Sequence, residues 1–131
     1  VGARVREGGL VGTGGGADEI ERARTVEAVA RRRGDKAQLT AYAFADALET
    51  IPRVLVRNAG LDPIGRLNDQ RAAHADGRLN AGIDLENGAV IDVTEHGVRD
   101  TLTVKRHAIS TSVDAACMLV RIDGIVEAAQ Q

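Results

Sequence analysis

Apolar residues recur at helical spacing along most of this chain and alternate with polar ones in a single stretch. Leu39, Ala43, Phe44, Ala47, Leu48 and Ile51 fall at i, i+4, i+5, i+8, i+9 and i+12, one stripe of a 3.6-residue helix. Pro52 lacks an N–H and pushes its predecessor out of the α region. This helix is therefore expected to stop near Ile51 and a new one to begin at Pro52, carrying Val54, Leu55 and Asn58. Gly60 suits the left-handed residue that follows a helix end, and Asp62 with Pro63 reads as an N-cap and first helical residue. The helix they open runs to about Ala75, with Ile64, Leu67 and Arg71 on one side and Gly77 as its stop.

Before this region, Leu10-Val11 reads as a very short strand, and Val1 to Gly9 as the tail of a helix whose beginning lies outside the chain. Gly14-Gly15-Gly16 leads into Ala17-Asp18-Glu19, acidic residues that suit the positive end of a helix. Ile20, Ala23, Val26 and Ala30 give that helix an apolar face, and Arg31-Arg32-Arg33 with Gly34 close it, a solvated helix end rather than a nucleic-acid patch. After Gly77 the period changes. Ala81 to Glu86, Asn87-Gly88, then Ala89 to Val93 is a hairpin pattern with a type I′ turn. Thr94 to Gly97 is a brief turn, and Asp100 or Thr101 caps a last long helix. Its apolar positions, among them Val104, Ala108, Ile109, Val113, Ala116, Leu119 and Val120, are wide enough to imply burial on more than one side. Ile122 to Val126 fits a closing strand.

Composition narrows the picture. In 131 residues there is no Trp and only 2% aromatic residues, so the core must rest on Ala, Val, Leu and Ile, which favours close helix packing. Acidic and basic residues number 19 and 17 with no long run of either sign, which argues against a nucleic-acid or membrane surface. A single cysteine, Cys117, allows no intrachain disulfide and makes a reducing cytosol the default; its apolar neighbours Ala116 and Met118 point to a buried structural thiol. No apolar run approaches the ~20 residues of a membrane-spanning helix. His74, His96 and His107 do not share a local zinc spacing, and Ser110 and Ser112 lack the glycines of a nucleophile elbow.

Four blocks, Phe44-Ala45-Asp46-Ala47-Leu48-Glu49, Ile51-Pro52-Arg53, Asn58-Ala59-Gly60-Leu61-Asp62-Pro63 and Arg71-Ala72-Ala73-His74, resemble successive blocks of the group II chaperonins, the thermosome type, in that family's order and spacing. The resemblance runs from about Val11 to Asp123. It implies a mainly α fold, a partial helical bundle like the chaperonin equatorial domain with one small β-hairpin. Residues 1–10 would end an intermediate-domain segment, and 11–131 would form the C-terminal half of the equatorial domain. The absence of an initiator Met agrees with a piece of a longer protein. Departures are Val93 where the family often has Met, Thr101 in place of proline, Gly124 in place of a second Asp, and no Gly-Met-rich tail.

On residue chemistry alone the triple glycine is a tight turn. It lacks the Gly-Lys-Ser/Thr of a phosphate loop, and two carboxylates follow where a phosphate would sit. Asp84 and Asp100 alone are ordinary surface or capping carboxylates. The resemblance adds that Gly14 and Gly15 lie beside the nucleoside part of ATP, that Gly82-Ile83-Asp84-Leu85 lines the adenine, and that Asp100, in Gly97-Val98-Arg99-Asp100-Thr101, accepts hydrogen bonds from the ribose hydroxyls. A carboxylate suits that task because it only accepts. The expected cofactor-contacting residues are thus Gly14, Gly15, Asp84, Leu85 and Asp100, with no catalytic or metal-binding residue.

The resemblance implies that the whole protein folds other polypeptides with ATP/ADP and Mg²⁺, in a cytoplasmic double ring of chaperonin subunits. The Gly-Asp-Gly-Thr-Thr loop, the Mg²⁺ ligand, the water-orienting aspartate and the client-gripping apical domain are not in this chain, so it alone is expected not to hydrolyse ATP. Two other readings remain: a free-standing helical interaction module, and a small regulator that binds only the nucleoside.

Overall fold

The computed structural model describes residues 11–122; the expected N-terminal helix tail lies outside them, and so does the closing strand expected over Ile122 to Val126, apart from Ile122. In chain order the elements are β1 (Val11–Thr13), α1 (Ala17–Arg31), α2 (Ala37–Asn58), α3 (Pro63–Ala75), β2 (Ala81–Ile83), β3 (Val90–Asp92), β4 (Arg99–Thr101) and α4 (Leu102–Val120). The fold is mainly helical. β2 and β3 form an antiparallel pair in the register Ala81↔Asp92, Gly82↔Ile91 and Ile83↔Val90, and β1 pairs with β4. Two compact units divide the chain, residues 12–100 and the remainder.

In the larger unit α1 lies along α2, and α3 packs on both. Small residues make the helix contact close: Ala23 and Ala30 on α1 and Ala45 on α2 are buried, with Ile20 and Leu48 beside them. Val56, Leu67 and Ile83 form a core cluster that ties α2, α3 and β2 together, with Leu61 packed against it.

Local signals set the helix ends. Asp62 accepts from the backbone N–H of Ile64 and of Gly65, both at 3.0 Å, with Pro63 as first residue of α3. α2 closes with Gly60 at φ 76° while Gly60 N–H donates to Arg57 O and Leu61 N–H to Val56 O, the paired bonds of a Schellman cap. α3 closes the same way, through Gly77 and Arg78.

Helices α2 and α3 depart from the expected ends and faces. Helix α2 does not stop at Ile51 but continues through Pro52 to Asn58. Its buried face is Ala45, Leu48, Glu49, Pro52 and Val56, which runs unbroken across the proline, so burial on both sides of the missing N–H offsets the lost hydrogen bond. The predicted stripe is mostly the other face. Leu39, Phe44 and Ile51 are exposed, because the side bearing the smaller residues is the one that lets α1 come close. On α3, likewise, Leu67, Gln70, Ala73 and His74 are buried and Ile64 is exposed.

The hairpin is present, but its strands have three residues and its turn is not type I′. That turn needs positive φ at both central residues, and only Gly88, not Asn87, has it. Instead the Asp84 carboxylate accepts from Glu86 N–H at 2.9 Å, and Asp84 O accepts from Gly88 N–H at 2.8 Å, giving a longer, side-chain-capped loop.

In the smaller unit, α4 exposes Val104, Met118, Leu119 and Val120, and Cys117 is exposed rather than buried. The described residues of that unit supply no second layer against this helix, so its apolar width is not matched by burial.

One ion pair joins α2 to α3. Glu49 is 4% exposed and takes a fork from Arg71, whose Nε lies 2.9 Å from Oε1 while Nη2 donates to Oε2. That hydrogen bond holds the Arg71 guanidinium above its ordinary pKa. The pair is asymmetric, since the Arg71 side chain is 43% exposed and the Glu49 side chain 5%. Removing the arginine strands a buried carboxylate, whereas removing the carboxylate leaves an arginine that water can reach. Arg71→Ala is expected to cost about 3 kcal/mol in denaturant unfolding and Glu49→Ala clearly less; equal losses would contradict this account of the pair.

Candidate functional site

The triple glycine forms the turn between β1 and α1, and its geometry requires glycine. Gly15 and Gly16 both have left-handed backbone, φ 61° and 78°. Gly14 N–H donates to Val98 O at 3.1 Å, and Ala17 N–H donates back to Gly14 O at 3.2 Å. Gly15 O accepts from Ile83 N–H at 3.4 Å, which fastens the turn to β2. From below, Pro52 fills the space a Gly16 side chain would need: a Cβ there would lie 2.5 Å from Pro52 Cβ.

The turn therefore meets three other segments with no side chains of its own between. A Cβ on Gly14 would lie 2.9 Å from Val98 Cγ1 and 3.5 Å from Asp100 Oδ2. One on Gly15 would lie 3.0 Å from Val93 Cγ1 and 3.8 Å from both Gly82 Cα and Ile83 N. One on Gly82 would collide with Val93 Cγ1. So Gly14 adjoins the Asp100 carboxylate, and Gly15 adjoins Gly82 and Ile83.

Of the residues singled out from sequence, Gly14, Gly15 and Asp100 converge in this way. Asp84 follows Ile83 directly, but its carboxylate is engaged in capping the hairpin loop, and Leu85 is 40% exposed in that loop. Residues outside the five expected contacts also shape the site: Pro52, Gly82, Val93 and Val98. Gly82 carried a signal, because a glycine inside a strand marks close backbone approach. Pro52 has the local signal of a helix start, and that signal carries no hint of its contact with the turn.

The turn from β3 to β4 sets where Val98 and Asp100 stand. Asp92 Oδ1 accepts from the Thr94 hydroxyl at 2.5 Å and from Thr94 N–H at 2.8 Å, while Val98 N–H returns to Val93 O at 2.9 Å. The Thr94 hydroxyl first, then its N–H and the Asn80 amide, hold the Asp92 carboxyl below its ordinary pKa.

The site's chemistry fits an uncharged group better than an anion. The first turn of α1 carries Asp18, paired with Arg22 at 2.9 Å, and Glu19, which is 6% exposed. Their charge opposes a phosphate at that helix end. The glycines and valines offer backbone and apolar contact, and Asp100 offers acceptor oxygens. Among the described residues no group of three or more His, Cys, Asp or Glu is placed to hold a metal ion, and no helix is long and apolar enough to cross a membrane.

The profile of the TCP-1/cpn60 chaperonin family matches residues 2–130, and the chain belongs to that family. Within it, the thermosome type is the one it resembles. It is 47% identical to a thermosome subunit of Methanopyrus kandleri over 96% of this chain and 23% of that protein. It is 44% identical to thermosome subunit alpha of Thermoplasma acidophilum over 95% of this chain and 23% of that protein. The open-state monomer of a group II chaperonin from Methanococcoides burtonii superposes with a TM-score of 0.82 at 38% identity, over 86% of this chain and 28% of that one. The chain thus spans about a quarter of the length of its curated relatives, and its fold is that of the chaperonin equatorial domain.

Two predictions test the local account. Thr94→Val removes the largest cause of the depressed Asp92 pKa, so carbon NMR of the Asp92 carboxyl should show it titrating nearer the ordinary carboxylate range; an unchanged titration contradicts the assignment. The sign follows: the ionised carboxylate stabilises the turn above its unfolded-state pKa, and that contribution is lost as pH falls through the lower folded-state value. Gly16→Ala, with left-handed backbone and Pro52 in the way, should cost at least about 1 kcal/mol, whereas Gly12→Ala, with nothing within 4 Å of a new Cβ, should cost only a few tenths. Similar unfolding midpoints for the two would contradict the close approach.

Proposed function

We propose that this chain is part of an ATP-dependent group II chaperonin subunit that assists protein folding, and that it supplies the nucleoside side of the nucleotide pocket. The observation that carries the reading is the convergence of Gly14 with the Asp100 carboxylate, 3.5 Å from where a Gly14 side chain would begin. Backbone without side chains lets a sugar approach, and acceptor-only oxygens stand beside it to take the ribose hydroxyl hydrogens. Gly15, Asp84 and Leu85 complete the proposed contacts on the adenine side, through backbone and apolar surface.

In this reading ATP or ADP binds with Mg²⁺ only in the longer protein, because the phosphate cradle and the metal ligand come from outside this chain. Residues 1–10 belong to the segment arriving from an intermediate domain, and 11–131 to the equatorial domain. Other subunits of a double ring in the cytoplasm are the partners, and unfolded polypeptides bind elsewhere on the subunit.

The second reading, a helical interaction module with no nucleotide role, draws on the exposed face of α2, where Leu39 is 73%, Phe44 37% and Ile51 44% exposed. Calorimetric titration of adenosine and of ADP separates the two. The first reading expects weak binding of both, indifferent to Mg²⁺, and weakened about tenfold by Asp100→Ala, the loss of one charge-assisted hydrogen bond. No binding by the unmodified chain, together with concentration-dependent sedimentation, would favour the second.

A further inference from the structure

His74 lies at the end of α3, is fully buried, and is used by nothing in the site as described so far. Both of its ring nitrogens face acceptors. Nε2 is 2.9 Å from the Ala81 carbonyl oxygen, and Nδ1 is 2.9 Å from Glu21 Oε2 on α1. A carbonyl oxygen has no hydrogen to give, so Nε2 must carry one. Glu21 Oε2 also accepts from Arg24 Nη1 at 2.9 Å, which is the role of a carboxylate oxygen without a proton. With Oε2 unprotonated, the Nδ1 contact is a hydrogen bond only when the ring nitrogen carries the hydrogen.

Few charged groups face the ring. From α1 the charged groups are Glu21 and Arg24, and Arg24 Nη1 also donates to the His74 backbone oxygen at 2.6 Å. From α2, Glu49 is turned to Arg71. β2 presents only the Ala81 carbonyl, and Asp92 of β3 is taken by Thr94 and Asn80. Ala81 O receives a second donor from α3, Gln70 Nε2 at 3.0 Å, while Gln70 Oε1 is buried without a partner. Reversing that amide would set oxygen against oxygen, so Gln70 too is committed to holding Ala81.

Ala81 opens β2, and two residues on, Ile83 N–H donates to Gly15 O. The same ring thus holds α1 through Glu21 and β2 through Ala81, and the glycine turn lies between α1 and β2.

We propose that His74 is the positioning residue of the nucleoside half-site: as an imidazolium donating to Glu21 and to Ala81 at once, it sets α1 and β2 at the separation that seats Gly15 against Gly82 and Ile83. A neutral ring can make only one of the two donations. The proposal rests on the reading of Gly14 and Gly15 as nucleoside contacts for its functional consequence, but not for the protonation state itself.

The test uses the whole chain labelled with ¹⁵N and has two arms. Without ligand at neutral pH, both His74 ring nitrogens should show a directly bonded hydrogen. A His74 Nδ1 with none overturns the proposal. Glu21→Gln, a change at a partly exposed side chain, removes the carboxylate and should leave His74 with a single N–H; two retained hydrogens would also overturn it. In the second arm His74→Gln keeps one donor for Ala81 but has no second N–H aimed at Glu21. It should shift the Gly15 and Ile83 amide signals and weaken adenosine binding about tenfold. Unchanged signals at Gly15 and Ile83 would reduce His74 to a packing residue. Should the unmodified chain bind no adenosine at all, the half-site reading fails while the first arm still decides the proton.

Discussion

Four stretches of backbone meet at the Gly14–Gly16 turn, and they can do so only because no side chain stands between them. Pro52 of α2 presses on Gly16 from one side, Val98 and Asp100 close on Gly14 from another, and Val93 with Gly82 and Ile83 lines Gly15. A methyl group on any of the three glycines would have to displace one of these neighbours. The turn is thus both the joint of the larger unit and the floor of the proposed site. The residues that make it structurally intolerant are the same ones that let a ligand approach backbone.

The rest of the larger unit holds that joint in place. Leu48, Pro52 and Val56 give α2 one buried face across its proline, so that the kink-prone position becomes the contact with Gly16. Leu67 and Ile83 carry the core from α3 to β2, and the ion pair of Glu49 with Arg71 fixes α3 against α2. The ring of His74 and the amide of Gln70 converge on Ala81 O, the first residue of the strand that bonds to Gly15. Side-chain hydrogen bonds from buried polar residues, rather than large apolar ones, make the last connection to the site, in keeping with a core with almost no aromatic residues.

What could be read from sequence was what neighbours in sequence decide. Asp62, Pro63, Gly60 and Gly77 bound their helices as capping chemistry requires, and Ile20, Ala23 and Ala30 faced inward as their spacing predicted. What could not be read depended on distant partners. Helix α2 has apolar residues on two sides, and only the approach of α1 selects the side with Ala45 over the side with Phe44. Asn87-Gly88 has the composition of a type I′ turn, but the Asp84 carboxylate offers the backbone another arrangement and takes it. For the site, the family pattern points to Gly14, Gly15, Asp84, Leu85 and Asp100; the fold brings Gly14 beside the Asp100 carboxylate and Gly15 beside Gly82 and Ile83, while the Asp84 carboxylate and Leu85 belong to the hairpin loop. The contributions of Pro52, Val93 and His74 are visible only once the elements are in place.

The central claim is that this turn and the Asp100 carboxylate form one surface for a nucleoside. Its most direct test is amide chemical-shift mapping of the ¹⁵N-labelled chain with adenosine. The account predicts perturbations gathered at Gly14 to Gly16, Gly82 to Asp84 and Val98 to Asp100. Perturbations confined to the groove lined by Arg78, Leu79 and Ile91, between the end of α3 and β3, or none anywhere, would contradict it.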